Sequence, residues 1–382
     1  MIVKNESKII ERCLDSVKGH IDYWVIVDTG STDDTKELIQ TSLSDIPGEL
    51  HEREFVSFGH NRTESLELSY NKSKFVLLMD ADLIFKVNDP NFKKSLSPKV
   101  DAYMINECDS IDQNGRCAGF NYRNRIIINN EKEWFFEGST HEVIELKEKR
   151  DTACVNLDDV WIHNMYDGGS KSDKYTRDIR LLTQDLKEDP DNDRAMFYLG
   201  ESYFNLAHQE GIDITSEKTC SLLRDASFWY QKRVDAINTW DQEKYMSLFK
   251  MAKINSLMND SIDFLGFLKA YEFMPSRLEP IHQIVRFCRE NELYYSGYLI
   301  GKMALTNITP LPKDALFVDG DVYSYQLIDE TAICASWAGD NRTSESMIES
   351  ILPIIEGYAS EENVERIKDN LKICRNLIAE NV

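Results

Sequence analysis

Two carboxylates, Asp80 and Asp82, stand two residues apart in the segment 75–85, which reads FVLLMDADLIF. The apolar run predicts a buried strand. Because side chains alternate between the two faces of an extended chain, we expect both carboxylates to point the same way. Acids at the carboxyl end of a strand lie where open α/β sheets bind ligands, and they suit Mg²⁺ or Mn²⁺ holding a substrate phosphate. The alternative is a strand end with two solvated acids.

A second short apolar strand, residues 23–27, runs into the sequence DTGSTDDT of residues 28–35. Gly30 permits a tight turn, and the polar residues after it can cap a helix that starts near Thr35. Strand, turn and helix form a mononucleotide-binding half-unit, in which Asp28 accepts hydrogen bonds from a base or ribose. An ordinary βα loop has the same residue types and is the alternative.

The sequence pattern changes near residue 170. Before it, apolar segments typical of strands alternate with segments of helical periodicity, which predicts an α/β layer architecture. The sequence YDGGS of residues 166–170 predicts a junction. Beyond it helical periodicity dominates, and Met196, Leu199, Gly200 and Tyr203 follow the packing pattern of a tetratricopeptide helix. We therefore expect an α/β domain at 1–170 and a domain of helical hairpins at 171–382.

The elements behind that division are read from periodicity. The predicted strands are 24–28, 52–56, 75–80, 101–106 and 123–129, and the predicted helices before the junction are 6–18, 32–44 and 60–72. The predicted helices after the junction are 172–188, 192–208, 217–237, 241–257, 262–273, 278–290, 295–306 and 323–337.

Composition excludes several classes of partner. The net charge of −22 over 382 residues argues against a nucleic-acid or anionic-membrane surface. The sequence contains no run of 18 apolar residues, so no transmembrane helix is predicted. Residues 1–20 lack the apolar core of a signal peptide. The eight cysteines form no Cys-x-x-Cys pair. We expect reduced cysteines and a cytoplasmic protein.

Four segments carry a family resemblance: MIVKNES at 1–7, VDTGSTD at 27–33, FGHNR at 58–62 and LMDAD at 78–82. Their order and spacing resemble those of family 2 glycosyltransferases, in the branch with a tetratricopeptide-like helical extension. The resemblance covers nearly the whole chain. It implies a GT-A-type nucleotide-sugar-binding domain with a mixed central sheet, followed by an all-α helical-hairpin domain.

The same resemblance implies the donor-side residues. The residues expected to bind a nucleotide-sugar, with UDP as the implied nucleotide, are Lys4, Glu6, Asp28, Gly30, Ser31, His60, Arg62, Asp80 and Ala81. Arg62 either orients Asp80 or contacts a phosphate. The metal ligands are expected to be Asp80, Asp82 and His163, and an imidazole ligand favours Mn²⁺ over Mg²⁺. A structural histidine at the end of a strand is the alternative for His163.

The sequence EGSTHE at 137–142 resembles an element on the acceptor side of the sugar in such enzymes. Glu142 is the predicted base, and Glu137 is the second candidate for that role. His141 either holds the sugar or acts as the base itself. The alternative is a plain turn before a strand at 143–146. Arg123 and Arg125 are candidates to neutralise a diphosphate, or are surface residues beside a strand.

These residues together predict a metal-dependent glycosyltransferase of the hexosyl or N-acetylhexosaminyl class, acting on a hydroxyl of a glycan or protein. One base and no apparent protein nucleophile imply inversion at the anomeric carbon. The alternatives are a nucleotidyltransferase, or a helical scaffold with an inactive α/β domain. The helical region is expected to recruit the acceptor or to self-associate as a homo-oligomer. It could instead only cover an apolar face.

Overall fold

The computed structural model describes residues 1–108, 120–169, 173–209, 211–237, 240–312, 315–356 and 359–380, and the side chains of 120–126 lie outside the description. The chain divides into two compact units, Met1–Glu188 and Asp189–Val382. The predicted fold class, an α/β region with a mixed sheet followed by helical hairpins, is confirmed. No helix in these ranges is long and apolar enough to cross a membrane.

The N-terminal unit begins with a three-stranded parallel sheet. Its strands are β1 (Ile2–Val3), β2 (Trp24–Asp28) and β3 (Gly48–Glu52), with α1 (Ile10–Val17) and α2 (Thr35–Ser42) as the crossover helices. Ile10, Leu14, Ile26 and Ile39 form the core between sheet and helices. The strand predicted at 52–56 lies at 48–52 instead. Gly48 stands opposite Trp24, and a Cβ there would collide with the indole.

A five-stranded mixed sheet follows, in the order β4-β7-β6-β10-β5. Its strands are β4 (Phe75–Leu77), β5 (Leu83–Val87), β6 (Ala102–Cys108), β7 (Phe120–Asn129) and β10 (Cys154–Asn164). Only the β6 and β10 pair is parallel among the pairings of this sheet. A hairpin of β8 (Trp134–Glu137) and β9 (Val143–Leu146), together with α3 (Phe58–Ser69) and α4 (Lys174–Glu188), completes the unit.

The apolar run around Asp80 is not one continuous strand. β4 lies at one edge of the five-stranded sheet and β5 at the other, so residues 78–82 form the connection between two edges. The expectation that Asp80 and Asp82 extend from a single buried strand is therefore wrong. The run is apolar because it crosses the core, where Met79 and Ala81 are buried.

The division between the units falls later than residue 170. Helix α4 belongs to the N-terminal unit, where Leu181, Leu182 and Leu186 are buried. Its pattern of apolar residues resembles that of the helices after it, so periodicity alone gives no signal of where one compact unit ends and the next begins.

The C-terminal unit is all helical in the residues that the structure describes. Its helices are α5 (Asp193–Gln209), α6 (Glu217–Asp235), α7 (Asp241–Met258), α8 (Phe264–Phe273), α9 (Glu279–Glu290), α10 (Tyr294–Thr306), α11 (Leu327–Trp337), α12 (Asn341–Ile355) and α13 (Glu361–Glu380). Consecutive helices pack on each other along the chain. Gly200 of α5 lies against the Tyr230 ring of α6, at 2.9 Å for a Cβ built there, which is the small-against-large packing that the sequence predicts.

Among the described residues, one cysteine differs from the expectation of reduced thiols. Cys13, Cys154, Cys220, Cys288, Cys334 and Cys374 carry free thiols, whereas Cys108, at the end of β6, is disulfide-bonded.

Candidate functional site

Two loops at the carboxyl ends of β1 and β2 are tied together. Asn5, whose φ of +56° lies in the left-handed region, donates its N–H to Ser31 Oγ at 2.9 Å. Its side-chain oxygen accepts the N–H of Thr32 at 2.7 Å, and the Glu6 N–H bonds to Thr35 Oγ1 at 2.8 Å. These bonds hold residues 4–7 and 28–35 as one wall at the strand ends, which is where α/β sheets bind ligands.

Asp28 closes the turn in that wall. Its Oδ1 accepts the N–H groups of Gly30 at 3.0 Å and Ser31 at 2.8 Å, and Gly30 supplies a φ of +101°. Asp28 is fully buried, and its Oδ2 has no hydrogen-bond partner among the described residues. A buried acceptor left unpaired is costly, so this oxygen is suited to an N–H or O–H of a bound molecule.

Arg62, on α3, links two of the predicted carboxylates. Its Nη2 lies 2.8 and 2.9 Å from the two oxygens of Asp80, and its Nε lies 2.6 Å from Glu142 Oε1. The contact with Glu142 is an ion pair that lacks hydrogen-bond alignment. Although burial opposes charge on both groups, the pKa of Arg62 is raised by Asp80 and Glu142, and the pKa of Asp80 is lowered by Arg62. Arg62 thus orients Asp80, one of the two roles that the sequence left open.

Asp82 and Glu6 lie under the segment that follows β10. A Cβ on Gly168 would stand 3.3 Å from Asp82 Oδ2 and 3.7 Å from Glu6 Oε1. The Gly169 N–H donates to Glu6 Oε2 at 2.9 Å. Burial, with a smaller contribution from the charge of Asp82, raises the pKa of Glu6. The glycines therefore let this segment approach two acids closely without covering them with side chains.

The predicted metal ligands are only partly brought together. His163 of β10 is buried, and its partner in register on the neighbouring strand β5 is Ile84. Asp82 lies two residues before Ile84, just ahead of the start of β5. Within the described ranges no group of three or more His, Cys, Asp or Glu side chains is arranged to hold a metal ion. Mg²⁺ commonly takes one or two carboxylates and completes its shell with water and phosphate oxygens. The assignment of Asp80, Asp82 and His163 to a metal stays a prediction.

His141 is supported by an acid that the sequence did not single out. Its Nε2 lies 3.7 Å from Asp178 Oδ2, and the Asp178 side chain is 1% exposed while that of His141 is 30% exposed. Thr140 Oγ1 donates to Asp178 Oδ1 at 3.2 Å. Burial raises the pKa of Asp178, but the contacts with His141 and the charge of Arg177 outweigh it and the pKa is lowered. Asp178 is an anion behind a solvent-facing imidazole.

The loop that carries His141 is fixed at both ends. Gly138 and His141 have φ values of +91° and +53°. The Ser139 N–H donates to Asp185 Oδ2 of α4 at 3.1 Å, and a Cβ on Gly59 of α3 would collide with the Gly138 carbonyl oxygen. A non-glycine residue held at positive φ by surrounding contacts is a common feature of ligand sites. No local sequence signal pointed to Asp178 and Asp185, because they lie on the helix after the junction.

The other predicted residues take separate positions. Lys4 and Gly30 are exposed, and Ala81 is a buried member of the apolar core beside α1 and α2. Glu137 is exposed at the end of β8. His60 is also exposed and borders a cavity of about 480 Å³ with Phe136 and five neighbours on α3 and β8. Neither Glu137 nor His60 forms a contact with the Arg62 network that the structure records.

The arginine pair before the strand at 126–128 cannot be assigned a contact. Arg123 and Arg125 lie on β7, and their side chains fall outside the described residues.

Residues 1–152 match the family model for glycosyl transferase family 2. Two curated relatives, the SPbeta prophage-derived glycosyltransferase SunS of Bacillus subtilis (strain 168) and glycosyltransferase SunS of Bacillus phage SPbeta, are each 26% identical over 223 residues. That alignment covers 56% of this chain and 50% of each relative, so the chain spans about half the length of the curated relatives it matches.

Among solved structures, TarS residues 1–349 of S. aureus in complex with UDP-GlcNAc is similar at 16% identity and a TM-score of 0.38, covering 68% of this chain and 90% of that one. MamA is similar at 12% identity and a TM-score of 0.34, covering 51% of this chain and 99% of that one.

The match over residues 1–152 confirms the resemblance to family 2 glycosyltransferases that the four sequence segments predicted. In this protein the matched region is followed by a helical unit that the family match does not reach.

Proposed function

We propose that this protein transfers a sugar from a UDP-sugar to a hydroxyl of a glycan or protein acceptor. The observation that carries the proposal is the position of Arg62, which contacts Asp80 on the predicted donor side and Glu142 on the predicted acceptor side. One partly buried cation thus joins the two halves of the predicted site, and all three residues lie within the segment that matches the family. Region, residues and geometry support the same activity.

The donor base is proposed to bind at Asp28. One unpaired acceptor, Asp28 Oδ2, matches the single ring N–H of uracil, whereas guanine presents two adjacent donors and needs two acceptors. The wall formed by residues 4–7 and 28–35 holds this carboxylate rigidly through its other oxygen. This chemistry supports UDP over GDP as the nucleotide.

The diphosphate is proposed to lie near Asp82. Both oxygens of Asp80 already face Arg62, so we assign Asp80 to shaping the site and Asp82, with His163, to holding a divalent cation. A carboxylate and an imidazole suit Mn²⁺, and phosphate oxygens would complete its shell. When bound, such an ion would offset the negative charge that develops on the leaving diphosphate.

The acceptor base is proposed to be His141. Asp178 faces Nε2, which favours the tautomer with the proton on that nitrogen and makes Nδ1 the basic nitrogen of the ring. The first candidate, Glu142, is held against Arg62, and we assign it to anchoring that guanidinium. With one base and no side chain assigned as a nucleophile, the transfer inverts the anomeric carbon.

A thermal-shift series with UDP, GDP and nucleoside triphosphates, each with and without Mn²⁺, tests the donor assignment. We expect UDP with Mn²⁺ to stabilise the protein most, by mass action. The Asp28→Asn variant should weaken UDP binding roughly tenfold or more, as expected for loss of a hydrogen bond to a charged group. Asp34→Asn, in the same loop and exposed, is the matched control. A larger shift with a nucleoside triphosphate would favour a nucleotidyltransferase instead. No shift with any nucleotide would favour an inactive domain.

A further inference from the structure

The helical unit contains a cavity of about 530 Å³ that none of the predicted site residues borders. Helices α9, α10, α11 and α13 supply its walls, and Asn363, Arg366 and Asn370 line it at i, i+3 and i+7 of α13. A volume of this size is typical of a small-molecule site.

The arginines of the cavity are neutralised by neighbouring acids. Arg366 pairs with Asp329 at 2.7 Å, and Arg289 pairs with Glu330. The third arginine, Arg286, pairs with Glu290 of the same helix at 2.9 Å. Each arginine is therefore paired with a carboxylate, although Glu290 itself does not line the cavity, and no guanidinium is left unpaired for a phosphate or carboxylate ligand. The cavity does offer many hydrogen-bond donors and acceptors side by side.

Two buried polar atoms in the cavity wall lack a partner among the described residues. They are Nδ1 of His282 and Oδ1 of Asp329. The two residues are 7% and 4% exposed, respectively. Burial lowers the pKa of His282 to about 4, so its imidazole is neutral at pH 7. Leaving such atoms unpaired costs about 1–3 kcal/mol each. Both atoms are therefore positioned to bond with hydroxyl groups, which donate and accept.

A flat aromatic surface stands at the same cavity. The rings of Tyr294 and Trp337 are stacked with centroids 5.2 Å apart and planes 14° apart. Trp337 is 69% exposed, which is unusual for so large an apolar side chain. Ile333 is the single aliphatic side chain among the described lining residues. The lining therefore does not form the apolar side-chain pockets through which many peptides are recognised.

We propose that this cavity binds a neutral saccharide, with the apolar C–H face of one pyranose ring on Trp337 and its hydroxyls bonded to Asp329 and His282. Vicinal hydroxyls match the alternation of carboxylate, guanidinium and amide groups, and they need no net charge. The inference goes beyond the proposed transfer reaction and does not depend on it, because it concerns equilibrium binding to the helical unit.

The test uses the full chain and a set of neutral probes: the methyl glycosides of glucose, galactose and N-acetylglucosamine, and cellobiose. Binding is measured by ligand-observed NMR and by titration of tryptophan fluorescence, without nucleotide. At least one probe should bind saturably, and Trp337→Ala should weaken it roughly tenfold, as expected for loss of an aromatic stacking partner. Tyr295→Ala is the matched control, because Tyr295 is 67% exposed beside Tyr294 but does not line the cavity.

A second variant, Asn370→Ala, removes an amide from the wall without touching the aromatic pair and should weaken binding several-fold. Hydrolysis of UDP-sugar donors, measured in parallel, should be unchanged in all three variants. The proposal is overturned if no neutral saccharide binds, if Trp337→Ala binds as tightly as the parent, or if inorganic phosphate or a peptide displaces the probe. If the parent protein hydrolyses no UDP-sugar donor, that result counts against the proposed transfer reaction and not against the saccharide site.

Discussion

The pair of His141 and Asp178 permits a quantitative test of the acceptor-side chemistry. Replacing Asp178 with Asn keeps the shape of the side chain and removes the charge that faces the imidazole. Across the 3.7 Å between Nε2 and Oδ2, a unit charge pair attracts by about 4 kcal/mol at an effective dielectric constant of 20. His141 is 30% exposed, and solvent screens part of that attraction. We therefore expect Asp178→Asn to lower kcat/KM about 10²-fold, equivalent to about 2.7 kcal/mol.

The assay is transfer from a UDP-sugar at varied donor concentration. His141→Ala should lower kcat by about 10² to 10⁴-fold, in the range of general-base contributions, with UDP binding unchanged. In Asp178→Asn, kcat should fall while the KM for the donor stays unchanged, because the imidazolium that forms in the transition state loses the anion beside it. A purely structural role of Asp178 would raise the KM as well.

Two further variants make the test discriminating. Asp185→Asn is the matched control, since Asp185 anchors the same loop through Ser139 without facing His141. We expect it to lower kcat/KM less than tenfold. Glu142→Gln should chiefly lower stability, because Glu142 pairs with Arg62. If Glu142→Gln abolished transfer while His141→Ala kept most of it, Glu142 would be the base and this reasoning would be refuted.

Four other predictions follow from the structure. Arg62→Met should lower the free energy of unfolding by about 1–3 kcal/mol in urea titrations, because two carboxylates lose their shared partner but Asp80, which is 40% exposed, keeps part of its hydration; a value below about 0.5 kcal/mol would contradict it. Asp82→Ala, or excess EDTA, should abolish transfer and weaken UDP binding, and full turnover in EDTA would disprove the metal requirement. Burial lowers the pKa of His282 to about 4 in the folded protein, against about 6.5 in the unfolded chain. The folded state therefore loses stability as the pH falls below about 6.5, because the unfolded chain takes up a proton that buried His282 does not. Parent and His282→Gln should thus differ by about 2 kcal/mol in their change of stability between pH 7 and pH 5. A fragment of residues 1–188 should melt higher than one of 1–170, since only the longer fragment keeps helix α4; equal melting temperatures would argue against the later boundary.

Local sequence patterns predicted most of the helices and several of the residues at which they begin or end. Helices α5 to α11 lie close to the predicted ranges, because apolar residues at helical spacing need only local contacts to be recognised. The turn at Asp28 and Gly30 was likewise readable, since its bonds join residues two and three apart. The family assignment of residues 1–152 came from four short segments in order.

Other features depended on where distant segments meet. The sequence pattern placed Asp80 and Asp82 on one strand. In the structure, β4 and β5 lie at opposite edges of the five-stranded sheet, and both acids lie in the connection between them. Arg62 reaches Asp80 and Glu142 only because α3 packs beside both. Spacing along the chain does not determine such contacts; the packing of whole elements does.

Asp178 and the cavity in the helical unit show the same division most clearly. A carboxylate on an amphipathic helix has no local signature of its partner, and Asp178 meets His141 only where α4 packs on the loop that carries it. Trp337 and Tyr294 are unremarkable in sequence, yet α10 and α11 stack their rings. The sequence by itself determined most of the helices and the family resemblance, because both rest on short-range pattern. The tertiary structure decided which charges meet and which polar atoms stay unpaired, because both depend on non-local packing.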